Sequence, residues 1–176
     1  MSTINILLKN IESYVGLRII KSVIAVMLTA LIMRNLFQET PFFACIGAVV
    51  AVERTIPSSL RASLVRNTGT IVGGLVGIAI SSFTENIPLL SLGLIPIFLI
   101  NNKLGKQESN IPGAIVFFAV SYLNTMEQAW IYGTHRIFGT LLGTAVGLAV
   151  NFLIFPPKEK LIPSANTEPS EVKMIC

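Results

Sequence analysis

Residues 66–80 read RNTGTIVGGLVGIAI and residues 136–150 read RIFGTLLGTAVGLAV. Seven of the fifteen positions are identical. The common pattern, R-x-x-G-T-x-x-G-x-x-x-G, lays Arg66, Gly69, Thr70, Gly73 and Gly77 over Arg136, Gly139, Thr140, Gly143 and Gly147 at an offset of 70. Glycines four apart fall on one face of a helix. A face without side chains lets a second backbone come close, where van der Waals contact and weak Cα–H···O bonds hold it. Helix packing is therefore the plain reading of Gly69, Gly73, Gly77, Gly139, Gly143 and Gly147. The partner could be the other half of the chain or a second copy. Ser58, after Pro57, is a plausible N-cap for the first glycine helix, and Thr125 with Gln128 forms a T-x-x-Q capping box for the second. Each helix is then expected to start well before its arginine and to run about 25–30 residues, several turns more than an average globular helix.

Working outward, the rest of the chain makes these membrane helices. Of 176 residues, 52% are hydrophobic and 12% charged, against roughly 25% charged in a soluble domain. The mean hydropathy is +0.72. So few charges cannot cover a soluble surface of this size, and so much apolar area excludes disorder. A disulfide scaffold is excluded as well, since Cys45 lies in an apolar run and Cys176 is the last residue. The net charge of +4 sits in clumps between charge-free stretches, which excludes a basic nucleic-acid-binding face. There is no phosphate-binding glycine loop, metal-spaced histidine pair or serine elbow, so no enzyme, metal or cofactor is expected.

The charge-free stretches are Ser22–Met33, Thr40–Val52, Asn67–Thr84, Asn86–Asn102, Ser109–Met126 and Ile137–Pro157. Crossing the bilayer takes about 20 residues, and the sequence is read as an all-α multi-pass bundle of about six segments. Residues 1–15 are expected to be an amphipathic interfacial lead-in, 16–156 the membrane domain and 157–176 a flexible cytoplasmic tail. No secretory cleavage site follows the first apolar run. The offset of 70 divides the membrane domain into repeats of about 16–84 and 86–156, secure only in their last third. Three segments per repeat is an odd number, so the second half would enter the membrane inverted, the layout of many secondary transporters. Orientation follows from the basic residues. Arg18, Lys21, Arg54, Arg61, Arg66, Lys103 and Lys106 join Lys9, Lys158, Lys160 and Lys173 on one side, leaving Arg34 and Arg136 on the other. Both termini are placed in the cytoplasm.

Candidate chemistry is sparse. Arg66 and Arg136 could each hold a carboxylate in a bidentate fork, with Thr70 and Thr140 offering hydroxyls one turn deeper. The bland alternatives are a topological anchor for Arg66 and a snorkelling cation for Arg136, expected at the mouth of the sixth segment. Glu53 and His135 are the candidate proton-coupling groups. The plain alternative for Glu53 is an ion pair with Arg54, Arg18 or Lys21. Glu127 and Trp130 suit an interfacial lead-in.

The string Gly16-Leu-Arg18-Ile-Ile-Lys21, the short segment after Pro41 and the Arg-x-x-Gly-Thr-x-x-Gly helix at 66–77 together resemble the aromatic acid exporter family, fusaric acid resistance-like (FUSC) proteins, and most closely its member 1 branch. The resemblance covers about residues 10–157. It implies a multi-pass protein of a bacterial inner membrane that exports aromatic carboxylates. Larger members continue beyond the sixth helix, so a unit of this size implies a homo-oligomer, a dimer being the simplest. The expected partners are thus the lipid bilayer, a small organic anion driven out by the proton gradient, and further copies of the chain. The competing expectation is a membrane module that transports nothing and assembles through its glycine faces.

Overall fold

In the computed structural model, which describes residues 16–84, 86–122 and 126–154, the first glycine helix starts at Thr55 rather than at Ser58. The Thr55 hydroxyl accepts from the Ser58 N–H at 3.2 Å and the Ser58 hydroxyl accepts from the Thr55 N–H at 3.2 Å. Ser58 is thus the N3 partner of a reciprocal box, and the helix begins three residues earlier than its serine suggests. It runs Ile56–Ser81, with Pro57 in the first turn where a missing N–H costs nothing. Thr125 lies outside the described residues, as do the expected lead-in at 1–15 and the tail at 157–176.

The helices in chain order are α1 (Leu17–Leu36), α2 (Phe42–Ala51), α3 (Ile56–Ser81), α4 (Ile87–Ser91), α5 (Leu94–Lys103), α6 (Asn110–Tyr122) and α7 (Met126–Leu153). A 3-10 turn at Gln107–Ser109 leads into α6, and no strand occurs among the described residues. The expected all-helical architecture is present with six helical segments, the fourth being divided into α4 and α5. Pro96 has no N–H to give the Leu92 carbonyl, so the fourth segment breaks at Leu92–Gly93. Phe117 packs into the gap, its ring 2.5 Å from where a Gly93 Cβ would stand.

Three stretches, Arg18–Leu36, Ile56–Ser81 and Gln128–Leu153, are long and apolar enough to cross a membrane. The 10 residues of α2 and the 13 of α6 rise only about 15 and 20 Å, short of a hydrocarbon core of about 30 Å. The six expected segments are thus three long helices and three short or broken ones. The order is long, short, long in the first half and broken, short, long in the second. Moving the bounds of α1, α2 and α3 by 70 gives 87–106, 112–121 and 126–151, against 87–103, 110–122 and 126–153 in the structure. The correspondence reaches past the glycine helices into all three segments.

The two halves exchange their long helices. The glycine face of α3 lies on α6, and that of α7 lies on α2. A Cβ on Gly73 would collide with the Gly113 carbonyl, and one on Gly143 with the Ala44 carbonyl. Gly77 faces Phe117 and Val120, whereas Gly147 faces Ala48 and Ala51. The pairs match at an offset of 70 along the long helices and 69 along the short ones. Gly69 meets Ser109 and Pro112, but a Cβ on Gly139 would find only ordinary contact, 3.5 Å from Met33.

Helices α3 and α7 also cross each other. Ser59 bonds Asn151, Asn67 bonds Thr144, Gly74 meets Ile137 and Ile78 meets Gly133. Numbers fall on α7 as they rise on α3, so the pair is antiparallel. It stays in contact over about 28 Å at 1.5 Å per residue. The register puts the crossing point next to Thr70 and Thr140, near the middle of both helices.

Candidate ligand site

Arg66 is the eleventh residue of α3, deep in the bundle instead of at a helix mouth. It is 6% exposed, and its Nε and Nη2 have no hydrogen-bond partner among the described residues. Burying an arginine is costly unless its donors are satisfied. The guanidinium lines a recess of about 290 Å³ walled by Val50, Ala62, Val65, Ile111, Pro112 and Ile115. Glu108 is the other polar lining residue, and its carboxylate is taken by Arg61. The recess is mostly apolar, with Arg66 as its cationic lining residue, although Nε and Nη2 are themselves shut off from the open space. That arrangement accepts a flat apolar body with a negative end, the ring burying area and the arginine receiving the charge.

Arg136 has different surroundings. Its guanidinium carbon lies 4.5 Å from the centre of the Phe43 ring and 4.1 Å from that of Tyr132. Nη1 donates to the Thr40 hydroxyl at 3.4 Å, and Nε is buried with no partner among the described residues. It too stands eleven residues into its helix, α7, and not at the mouth where the sequence put it. The antiparallel register sets Arg66 and Arg136 on opposite sides of the crossing, about 13 Å apart along the axes, so the fold does not bring them together.

Thr70 and Thr140 are both 0% exposed, and their hydroxyls have no partner among the described residues. Each lies one turn from its arginine, toward the crossing. Glu53 and His135 are distant from each other, at opposite ends of the bundle. Glu53 forms an ion pair with Arg18 at 2.9 Å, choosing that partner over Arg54 and Lys21. His135 Nδ1 is 2.8 Å from the Glu39 carboxylate in the α1–α2 connection.

Sequence reasoning missed Asn151. Fully buried on α7, it accepts from Lys21 Nζ at 3.1 Å and donates to the Ser59 hydroxyl at 2.7 Å and the Glu53 carbonyl at 3.1 Å. It ties α1, α7 and the start of α3 into one polar knot. Its signal was available: an asparagine within an otherwise apolar membrane run is costly unless it has partners. Asn101 and Ser109 are likewise fully buried, and their side-chain polar atoms have no partner among the described residues. Among those residues no cluster of metal-ligating side chains occurs.

Comparison with known proteins fixes the family. The model of aromatic acid exporter family member 1 matches residues 13–154. The chain belongs to that family. Membership and the apolar helices support a membrane protein, as the resemblance implied. Curated relatives of the family include UPF0421 proteins of Oceanobacillus iheyensis, Staphylococcus epidermidis and Staphylococcus haemolyticus, at 30%, 30% and 28% identity. The alignments take in 84%, 82% and 93% of this chain, but 42%, 44% and 50% of those proteins. The chain thus spans half or less of the curated relatives it matches. No solved structure matches it.

Proposed function

We propose that this chain carries small aromatic carboxylates out of the cell across the bacterial inner membrane, driven by the proton gradient. The observation that carries the reading is Arg66, a buried guanidinium with unpartnered donors beside an apolar recess. In this reading the carboxylate docks on Arg66, the ring lies among Ala62, Val65 and Pro112, and the Thr70 hydroxyl takes over one turn further in. The two halves are taken to thread the bilayer as inverted repeats, for which the antiparallel α3–α7 pair and the matching glycine contacts speak.

Alternating access is then a movement about the α3–α7 crossing. The closest packing joins α7 to α2 and α3 to α6. The moving bodies are therefore α1, α2 and α7 against α3 to α6, not one sequence repeat against the other. The Arg18–Glu53 ion pair and the His135–Glu39 contact, one at each end, are the places where that movement would break a contact, and Glu53 and His135 are the proposed proton-coupling groups. The rival role, assembly through glycine faces, has less support, since α2 and α6 of the same chain cover those faces.

Everted vesicles containing the chain should take up radiolabelled benzoate when energised. Arg66→Gln should bring uptake to the level of empty vesicles while insertion is unchanged. Equal uptake with and without the chain would overturn the reading.

A further inference from the structure

The surroundings of the two arginines correspond position by position. An offset of 70 takes Ala62 and Arg66 of α3 onto Tyr132 and Arg136 of α7. The offset of 69 that aligns the short-helix contacts takes Phe43 onto Pro112, and Glu39 of the connection before α2 onto Glu108. Around Arg136 the chain supplies two aromatic rings, Phe43 and Tyr132, stacked on the guanidinium. Around Arg66 the same two places hold Pro112 and Ala62, and beside them lies the recess of about 290 Å³. The space that the chain fills with aromatic carbon in one half is left open in the other.

We infer that the two arginine sites are unequal: the Arg136 site is permanently occupied by the chain's own rings, and the Arg66 recess takes the ring of the ligand, stacked on its guanidinium. This rests on the carrier reading above and adds where, and by which face, the ligand is held. The geometry at Arg136 shows what a filled site looks like. A cation over a ring face in a desolvated setting strengthens binding by about tenfold or more. Ala62 is the gatekeeping position, because a tyrosine there would do for Arg66 what Tyr132 does for Arg136. It is half-buried beside the recess, so a larger side chain has open space to enter.

The test is calorimetric titration of the full chain in nanodiscs with benzoate and with cyclohexanecarboxylate, an anion of similar size without a π face. The unmodified chain should bind one benzoate, about tenfold more tightly than the saturated acid. Ala62→Tyr should abolish binding, and Tyr132→Ala should raise the capacity to two by opening the second site. Equal affinity for the two acids, two benzoates on the unmodified chain, or a capacity unmoved by Tyr132→Ala would overturn the inference and leave the carrier reading standing. Binding of neither acid would overturn the carrier reading itself. Circular dichroism checks folding of Ala62→Tyr; if it does not fold, the ring comparison and Tyr132→Ala still decide.

Discussion

At the residue scale, the glycines of one motif have unequal duties. Gly73 and Gly143 each face a backbone carbonyl with no room for a methyl group, whereas Gly139 has ordinary space around it. Gly73→Ala and Gly143→Ala should each lower stability by about 2–3 kcal/mol, the cost of overpacking against rigid backbone. Gly139→Ala should raise it by up to about 1 kcal/mol through helix propensity. Thermal unfolding in detergent would separate the two outcomes. Asn151→Leu should cost about 2–4 kcal/mol in the same assay, since it takes an acceptor from Lys21 and a donor from both the Glu53 carbonyl and Ser59. The glycine face could be read from the spacing, because four-residue periodicity is a local property. Which glycine touches backbone could not, because that depends on the height at which α6 and α2 lie across it. The same limit hid the contrast between Arg66 and Arg136. Their motifs are alike, and the difference resides in Ala62, Tyr132, Pro112 and Phe43, two of them on other helices.

At the scale of the element, the expected length of about 25–30 residues holds for α3 and α7, which have 26 and 28. The break between α4 and α5 was not recognised, although Pro96 and Gly93 mark it. The polar run from Glu53 to Ser59 hid the start of α3, where two hydroxyl residues competed to be the cap and the one nearer the N-terminus prevailed. The antiparallel pairing of α3 and α7 is open to direct test. Gly133 is close enough to Ile78 for a disulfide, a Cβ at 133 standing 2.5 Å from Ile78 Cγ1. In a background of Cys45→Ser and Cys176→Ser, the pair Ile78→Cys and Gly133→Cys should cross-link on oxidation and change mobility on a non-reducing gel. The pair Ser59→Cys and Gly133→Cys, at opposite ends of the contact, should not. The cross-link should also stop benzoate uptake if movement about this crossing is needed.

For the molecule as a whole, the ends differ in charge. The end joined by Arg18–Glu53, Arg61–Glu108 and Lys21–Asn151 also carries Arg54, Lys103 and Lys106. The other end has Arg34 beside Gln38, Glu39 and Thr40. We propose, by the positive-inside rule, that the first end faces the cytoplasm. An impermeant maleimide added to intact cells should therefore label Gln38→Cys, and should reach Lys106→Cys only after permeabilisation. Labelling of both, or of Lys106→Cys alone, would reverse or void the orientation. Charge distribution is legible in a sequence because it needs no knowledge of packing, whereas the exchange of long helices between the halves is a matter of packing alone. That exchange bears on synthesis. A ribosome that has completed only the first 84 residues has made α3 but not α6, the surface its bare glycine strip is shaped to meet. Until α6 follows, that strip has no partner, and α2 waits in the same way for the glycine face of α7.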